Sequence, residues 1–343
     1  MKFNLDWLKK LVTVKSSAQQ LAEKITDAGL EVESLENDVI ELKIPPNRAD
    51  CLGMVGLARE VAAVTGEKFS EPNVKPVPAT IKDQITLKVQ DSAACPKYLG
   101  RIIKGIDNTK QTPQWIKDCL TTADIKSISP VVDITNYILL EWGQPLHAFN
   151  VQKLHGDVIV RKAKPGEELQ LLDDTTVKLT PQTLVIADNN KPLALAGIKG
   201  GKESGIETDT TDVLLECAYF EPVGVRLTSR NLGVKSDGSY RFERCVDPNM
   251  QEKVMEQLTQ MLLDVVGGKA GPVVTFIDEK QLPKTTVLSL HLSRIQKLLG
   301  VHIETATVIN ILQRLGFQVE THNGDEELMI TVPSFRPDIV AEI

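Results

Sequence analysis

Aromatic residues are scarce in this 343-residue chain, where Phe, Trp and Tyr together make up 4%. Its cores must therefore be filled with aliphatic side chains. No run of eighteen apolar residues occurs, so no helix is expected to cross a membrane. The opening stretch MKFNLDWLKKLV lacks the long apolar centre and the cleavage site of a secretory signal. The five cysteines (Cys51, Cys95, Cys119, Cys217, Cys245) are dispersed, odd in number and form no CxxC pair. Neither a disulfide frame nor a zinc site is expected, and the thiols read as reduced and cytoplasmic. The five histidines are equally scattered, with no cluster of soft metal ligands. Positive charge is also short, with 39 Lys and Arg against 46 Asp and Glu, a net −7. Proteins that hold nucleic acid by bulk electrostatics are usually basic, so non-specific DNA binding is not expected, while a local patch stays open.

A hydrophobic share of 42% and a charged share of 25% describe a soluble globular protein, and the length predicts two or three domains. The two ends repeat each other. FNLDWLKKLVTVKSSAQQLAEKITDAGLEVE (3–33) aligns without a gap on LHLSRIQKLLGVHIETATVINILQRLGFQVE (290–320). Each reads as a short helix, a turn, a second helix ended by glycine, and a strand. Ile40, Leu42 and Ile44 then fall on Leu328, Ile330 and Val332, and Pro45, Arg48 and Asp50 fall on Pro333, Arg336 and Asp338. One small α/β unit thus occurs twice. The first copy continues into a helix over CLGMVGLAREVAAVTGEKF, and the second is expected to be cut short at Ile343.

A helix pair followed by strands invites a winged-helix reading. The outward residues of the second helix are Gln19, Glu23 and Asp27 in one copy and Thr307, Asn310 and Arg314 in the other. They are too poor in Lys and Arg for strong phosphate contact, so structural packing is the expectation.

Between the copies, FSEPNVKPVPATIKDQ reads as a Pro-rich linker. TPQWIKDCLTTADI reads as a helix with Thr112 as cap and Pro113 at its first position. From Asp157 to Val213 short strands alternate with turn signals, and DPNMQEKVMEQLTQMLLDVVGG closes the region as an amphipathic helix. The fold class predicted is α+β and multidomain: a central mixed α/β domain flanked by two related helix–helix–strand, winged-helix-like units. The expected boundaries are 1–68, a linker over 69–85, the central domain over 86–275, a linker over 276–288, and the second copy over 289–343.

Five stretches, PPNRADCLGMVGLAREVAAVTG, VVDITNYILLEWGQPLHAF, AGIKGG, SDGSYRFERCVDP and VPSFRPDI, together resemble the β subunit of bacterial phenylalanyl-tRNA synthetase, in order and through almost the whole chain. The resemblance implies that a tRNA-binding oligonucleotide-fold module, usual where LEND joins VIELKI, is absent here, as are the domains that follow Ile343. It implies that aminoacylation belongs to an α subunit in a heterotetramer, with ATP and Mg2+ serving the complete synthetase and no cofactor expected for this part. The implied partners are that α subunit and tRNA(Phe), with tyrosine or phenylalanine as the small ligand. The implied activity of the central domain is editing, the hydrolysis of tyrosine wrongly attached to tRNA(Phe). A pocket shaped for phenylalanine rejects an added hydroxyl poorly, whereas a second pocket can bind that hydroxyl positively.

By resemblance, Thr135, Asn136 and His147 line the editing pocket, and His147 is expected to orient water or ribose as a weak base near neutral pH. Its plain alternative is a histidine that caps a helix end. Glu216, in the apolar strand VLLECAYF, is expected to accept a hydrogen bond from the tyrosine hydroxyl as a carboxylate; the alternative is an edge-strand charge facing water. Ala196 and Gly200 belong to the implied pocket wall, and Ser236 and Gly238 to its remainder. Gly238 and Tyr240 stand where the family has alanine and histidine, and Lys126 where it has arginine. Lys126, Arg241 and Arg244 are the expected tRNA contacts, with structural ion pairs as the alternative for the two arginines. Asp338 matches a residue of a magnesium site whose other carboxylates would lie beyond Ile343, so no metal is expected here. No Ser-His-Asp or Cys-His spacing is present, so direct attack by water is expected, with no covalent intermediate. The competing reading is a non-catalytic scaffold that positions tRNA and the α subunit around a decayed pocket.

Overall fold

The computed structural model describes residues 1–322 and 327–342 and divides into two compact units. One comprises Met1–Pro72 with Pro283–Ile343, the other Asn73–Leu282. The chain is α+β throughout.

The first copy of the repeat runs β1 (Lys2–Asn4), α1 (Leu5–Leu8), α2 (Ala18–Asp27), β2 (Glu31–Glu36), β3 (Val39–Lys43) and α3 (Met54–Thr65). Ser17 caps α2 through a reciprocal capping box with Gln20. Leu21 and Ile25 of α2 are buried, as are Phe3, Ile40 and Leu42 of the sheet, and α2 packs along β2. The β2–β3 hairpin closes through Asn37 and Asp38, both with positive φ, the geometry of a two-residue type I′ turn. Nothing is inserted where LEND meets VIELKI. After β3, Arg48 forms a fork on Asp50, with Nε to Oδ1 at 3.0 Å and Nη2 to Oδ2 at 2.9 Å, and also reaches Glu60 on α3 at 2.7 Å.

In the middle unit the strands are β4 (Leu87–Val89), β5 (Lys97–Lys104), β6 (Leu146–Asn150), β7 (Val158–Lys162), β8 (Glu168–Gln170), β9 (Thr176–Lys178), β10 (Leu184–Ala187), β11 (Pro192–Leu195), β12 (Lys199–Gly200), β13 (Asp212–Tyr219) and β14 (Lys269–Ile277). The helices are α4 (Gln114–Thr122), α5 (Pro130–Trp142), α6 (Pro222–Leu232), α7 (Asp237–Phe242) and α8 (Gln251–Val266). One antiparallel sheet has the order β14-β5-β13-β6, and a second has the order β12-β11-β10-β7-β4 with β4 parallel to β7. Strand alternation gives the first sheet two buried faces. Tyr98, Ile102, Phe149, Leu214 and Ala218 pack with Val160, Val185 and Leu195 of the second sheet. The opposite face carries Leu99, Ile103, Leu215 and Cys217, all fully buried, and α8 runs against β5 and β13.

The second copy starts with β15 (Val287–His291), then α9 (Leu292–Leu299), α10 (Thr305–Arg314), β16 (Gln318–His322) and β17 (Glu327–Thr331). Its sheet order, β15-β17-β16, reproduces β1-β3-β2 of the first copy. Arg336 reproduces the fork, with Nε and Nη2 at 2.9 and 3.0 Å from the Asp338 oxygens. The turn between β16 and β17, expected to close directly, lies outside the described residues, as does Ile343.

Three expectations differ from the structure. The Pro-rich stretch over 69–85 is not a free linker beyond Pro72. Arg101, 2% exposed, donates to the Val77 carbonyl at 2.6 Å and to Glu256 at 3.0 Å, and the Val77 N–H returns to Glu256 at 2.7 Å. Proline denies this segment a strand ladder, but an extended backbone still offers carbonyls to a buried guanidinium. The second linker, over 276–288, likewise gives its end to β15, and β14 runs on to Ile277. Thr112 is not the cap of α4, because its hydroxyl is spent on Asp133.

Arg48 sits between two carboxylates with side chains about as buried as its own. Removing one partner of such a group leaves uncompensated buried charge, which costs about 3–5 kcal/mol. Arg48→Leu is expected to weaken the unit by that order, read as faster hydrogen exchange of the core amides of α2, α3 and β3. Unchanged exchange there would contradict the role given to the fork.

Candidate functional site

The site begins with a helix that stops where it must. Ser129 and Pro130 start α5, and Gly143, at φ 76°, ends it in the left-handed conformation. The chain then turns through Gln144, which is fully buried. Its amide nitrogen donates to the carbonyls of Pro145 at 2.9 Å and Ala218 at 3.0 Å, and its oxygen accepts from Gln251 at 2.9 Å. That glutamine ties the turn to β13 and α8 and so fixes the register of β6. In this register His147 lies directly opposite Glu216. Paired residues of antiparallel strands project to the same face, so the two side chains stand side by side.

They open into one cavity of about 270 Å³ between the two sheets, lined also by Thr135, Asn136, Gly200, Ser236 and Gly238. Leu139, Ile186, Leu195, Ile198 and Phe242 supply apolar wall. Leu172, 52% exposed, marks the edge that meets solvent.

Burial sets the charge of both central groups. Glu216 is 6% exposed, and desolvation pushes its carboxyl up to about 8, against a weaker downward pull from the Tyr98 hydroxyl, which donates to Oε2 at 3.4 Å. Desolvation draws His147 down to about 4. At neutral pH both groups are therefore mainly uncharged. Burial thus works against both the carboxylate expected of Glu216 and the base expected of His147. The His147 Nε2 is buried without a hydrogen-bond partner. Gly200 is what admits the ring, since a Cβ there would stand 2.3 Å from Cε1 and 2.7 Å from Nε2.

The other polar groups divide into free and committed. Among the described residues the Asn136 side chain makes no hydrogen bond, and it faces the cavity. Thr135 donates its hydroxyl to the Val132 carbonyl at 2.7 Å, which leaves it as an acceptor. Ser236 caps α7, accepting from the Ser239 N–H at 3.0 Å, and donates to the Ile198 carbonyl at 2.5 Å. It holds the glycine-rich loop to α7 more than it offers a free group. A Cβ at Gly238 would fit in ordinary contact, 3.5 Å from both Pro145 Cβ and Ser236 Oγ.

Several expected residues are elsewhere. Ala196 is buried behind the wall and does not line the cavity, although Leu195 and Gly197 do. Arg241 is 6% exposed and donates to the Asp237 carbonyl at 3.1 Å, so it cannot meet a phosphate. Arg244 pairs with Glu243, donates to the Tyr240 carbonyl at 2.9 Å and stacks 3.6 Å over the Tyr240 ring. Both arginines serve the fold. Lys126 is exposed, outside the cavity lining, on a loop that Asp133 holds through Ser127 and Ile128. Asp338 is forked by Arg336 and accepts from Asn47 at 3.1 Å, which leaves a metal no uncommitted carboxylate there. Among the described residues the group of acids and thiols close enough to share an ion is Asp50, Cys51 and Glu60, and the Arg48 guanidinium already bonds all three. Sequence reasoning missed Tyr98, which reads as one more core aromatic, and Lys199, which lines the cavity and pairs with Asp173 at 2.6 Å.

The B3/4 domain family model matches residues 94–267, which contain every residue of this cavity, and the tRNA synthetase B5 domain model matches 288–343. The chain is 47% identical over 309 residues to the phenylalanine–tRNA ligase beta subunit of Dickeya dadantii (strain 3937), covering 90% of this chain and 38% of that protein. It is 46% identical over 308 residues, with the same coverages, to the subunit of the same name from Yersinia pestis. The chain thus spans about two fifths of the length of these relatives. The fold is similar to the crystal structure of an N-terminal fragment of the phenylalanyl-tRNA synthetase beta-subunit from Pyrococcus horikoshii, with a TM-score of 0.51 at 16% identity over 99% of this chain and 95% of that one.

Glu216 titrates in the unfolded chain near 4.5 and in the fold near 8. Between those values the unfolded state binds fewer protons, so this group's contribution is fully present below about 4.5 and is lost as pH rises to about 8. Glu216→Gln, which cannot ionise, is expected to gain stability over the parent across that window and to match it near pH 4, in urea unfolding at several pH values. A stability difference independent of pH would show the carboxyl to be ionised in the fold.

Proposed function

Because the chain belongs to the B3/4 domain family and matches phenylalanine–tRNA ligase β subunits over 90% of its length, we propose that it is part of such a subunit and that its cavity hydrolyses tyrosine wrongly esterified to tRNA(Phe). The observation that carries this reading is Glu216 directly opposite His147, whose Nε2 has no partner, in a cavity of amino-acid size. A neutral carboxyl both donates and accepts, which suits a phenol. Phenylalanine in the same place would leave a buried polar group unpaired, at about 1–3 kcal/mol.

His147 and Asn136 hold the attacking water and the ribose by hydrogen bonds, and positioning supplies the acceleration. Water adds to the ester carbonyl carbon and the bond to the ribose oxygen breaks. One water proton ends on that oxygen, restoring the hydroxyl, and the freed tyrosine carboxyl ionises into solvent. No step runs through Asp338 or a metal. An α subunit, in a heterotetramer in the cytoplasm, would carry out aminoacylation with ATP and Mg2+.

The test is tyrosine release from Tyr-tRNA(Phe), with tRNA binding checked separately. The chain is expected to release tyrosine. Glu216→Ala is expected to lose about 10- to 100-fold in kcat/KM for the tyrosyl ester, from a buried phenol left without its partner, and His147→Ala should lower kcat more than it raises KM. Intact Tyr-tRNA(Phe), bound by the parent chain and not cleaved, would favour the scaffold reading.

A further inference from the structure

Resting on that reading, we infer that the outer face of α6 and the turn after it form the track along which the single-stranded 3′ end of tRNA reaches the cavity. Between Glu221, whose carboxylate caps α6, and Asp237, which lines the cavity and pairs with Arg241, the chain carries Arg226, Arg230 and Lys235 and no acidic residue, in a protein of net charge −7. All three cations are exposed. Among the described residues none makes an ion pair or a side-chain hydrogen bond. Arg226 and Arg230 are four residues apart on one helix face, with Cβ atoms about 5–6 Å from each other.

The row has a direction. The inner face of α6 is the buried Val225, whose Cγ2 would stand 3.2 Å from a Cβ placed on Gly197, a residue of the cavity wall. Lys235, at the end of the row, immediately precedes Ser236, which also lines the cavity. A polyanionic strand laid from Arg226 to Lys235 would end one residue before Ser236 in the wall of the chamber that holds Glu216 and His147. Leu227 and Val223, 49% and 48% exposed on the same helix, offer apolar surface to bases between the phosphate contacts. An acidic protein needs such a local row, because its overall field repels RNA. The row replaces Arg241 and Arg244 as the cationic contacts.

The test is binding of fluorescently labelled, uncharged tRNA(Phe) at several salt concentrations, comparing the full chain with the triple variant Arg226→Gln, Arg230→Gln, Lys235→Gln. Each phosphate neutralised on a single strand contributes about −0.7 to the slope of log affinity against log salt. The triple variant is expected to lose at least about ten-fold in affinity at 0.1 M salt, with a slope shallower by about 2. Lys235→Gln alone should make it shallower by about 0.7. Cleavage of the small ester 3′-O-tyrosyl-adenosine is expected to be unchanged by all three substitutions. Affinity and slope equal to the parent's would overturn the track, as would loss of binding to anionic lipid vesicles with none to tRNA. If the parent cleaves neither ester while tRNA binding still depends on the three cations, the hydrolytic reading falls and the track stands.

Discussion

The structure turns on the pairing of Glu216 with His147 across β13 and β6. Antiparallel register has a period of two, so slipping β6 by one residue would send His147 to the helix-covered face and set apolar Leu146 or Ala148 opposite Glu216 in its place. What prevents the slip is outside the strands. Gln144 spends its whole side chain on Pro145, Ala218 and Gln251, and Gly143 ends α5 in the left-handed conformation just before it. The cavity is thus placed by a turn that touches no ligand.

Burying an acid and an imidazole together costs free energy, and desolvation favours the neutral form of each. That choice has a chemical consequence. A carboxylate would accept only, whereas a protonated Glu216 offers a donor and an acceptor to one hydroxyl. Tyr98 already occupies one oxygen at the long distance of 3.4 Å, a bond that fixes the carboxyl without satisfying it fully. The same neutrality leaves His147 as an orienting group, so in the proposed reaction the rate comes from placing water beside the ester.

Much of this was legible in the sequence where a residue contradicts its surroundings. Glu216 stands out in VLLECAYF because burial of polar atoms needs a reason, while Asn136, in the middle of α5, and His147, past its turn, are marked by the family resemblance. Tyr98 does not stand out, since an aromatic in an apolar strand contradicts nothing. For Arg241 and Arg244 the structure favours the ion-pair alternative: sequence gives the sign of a charge but not whether it faces inward from α7 or the turn after it. Arg226 and Arg230 were the readable alternative, exposed by their spacing on a helix whose buried positions are Val225 and Ser229. The Pro-rich stretch was misjudged because composition reports a missing ladder and cannot report Arg101 waiting for the carbonyls. The α+β fold and the doubled unit were legible, while the leading strands β1 and β15 were not, being edge strands of three and five residues.

The doubled unit also explains why one motif survives in two settings. In Pro45–Asp50 and again in Pro333–Asp338, the arginine N–H closes a turn on the proline carbonyl at 2.9 Å, and its guanidinium forks onto the aspartate two residues later. Both contacts are local, so the geometry needs nothing from outside the turn. A lysine would not substitute, because its single ammonium cannot meet both carboxylate oxygens in a fixed plane. The first copy adds Glu60 as a third member and becomes a buried network, and the second adds Asn47 from across the same unit. The fork therefore serves as a preformed corner that each copy finishes differently, and the commitment of Asp338 to Arg336 is the same bond that shapes the end of the sheet in the first copy.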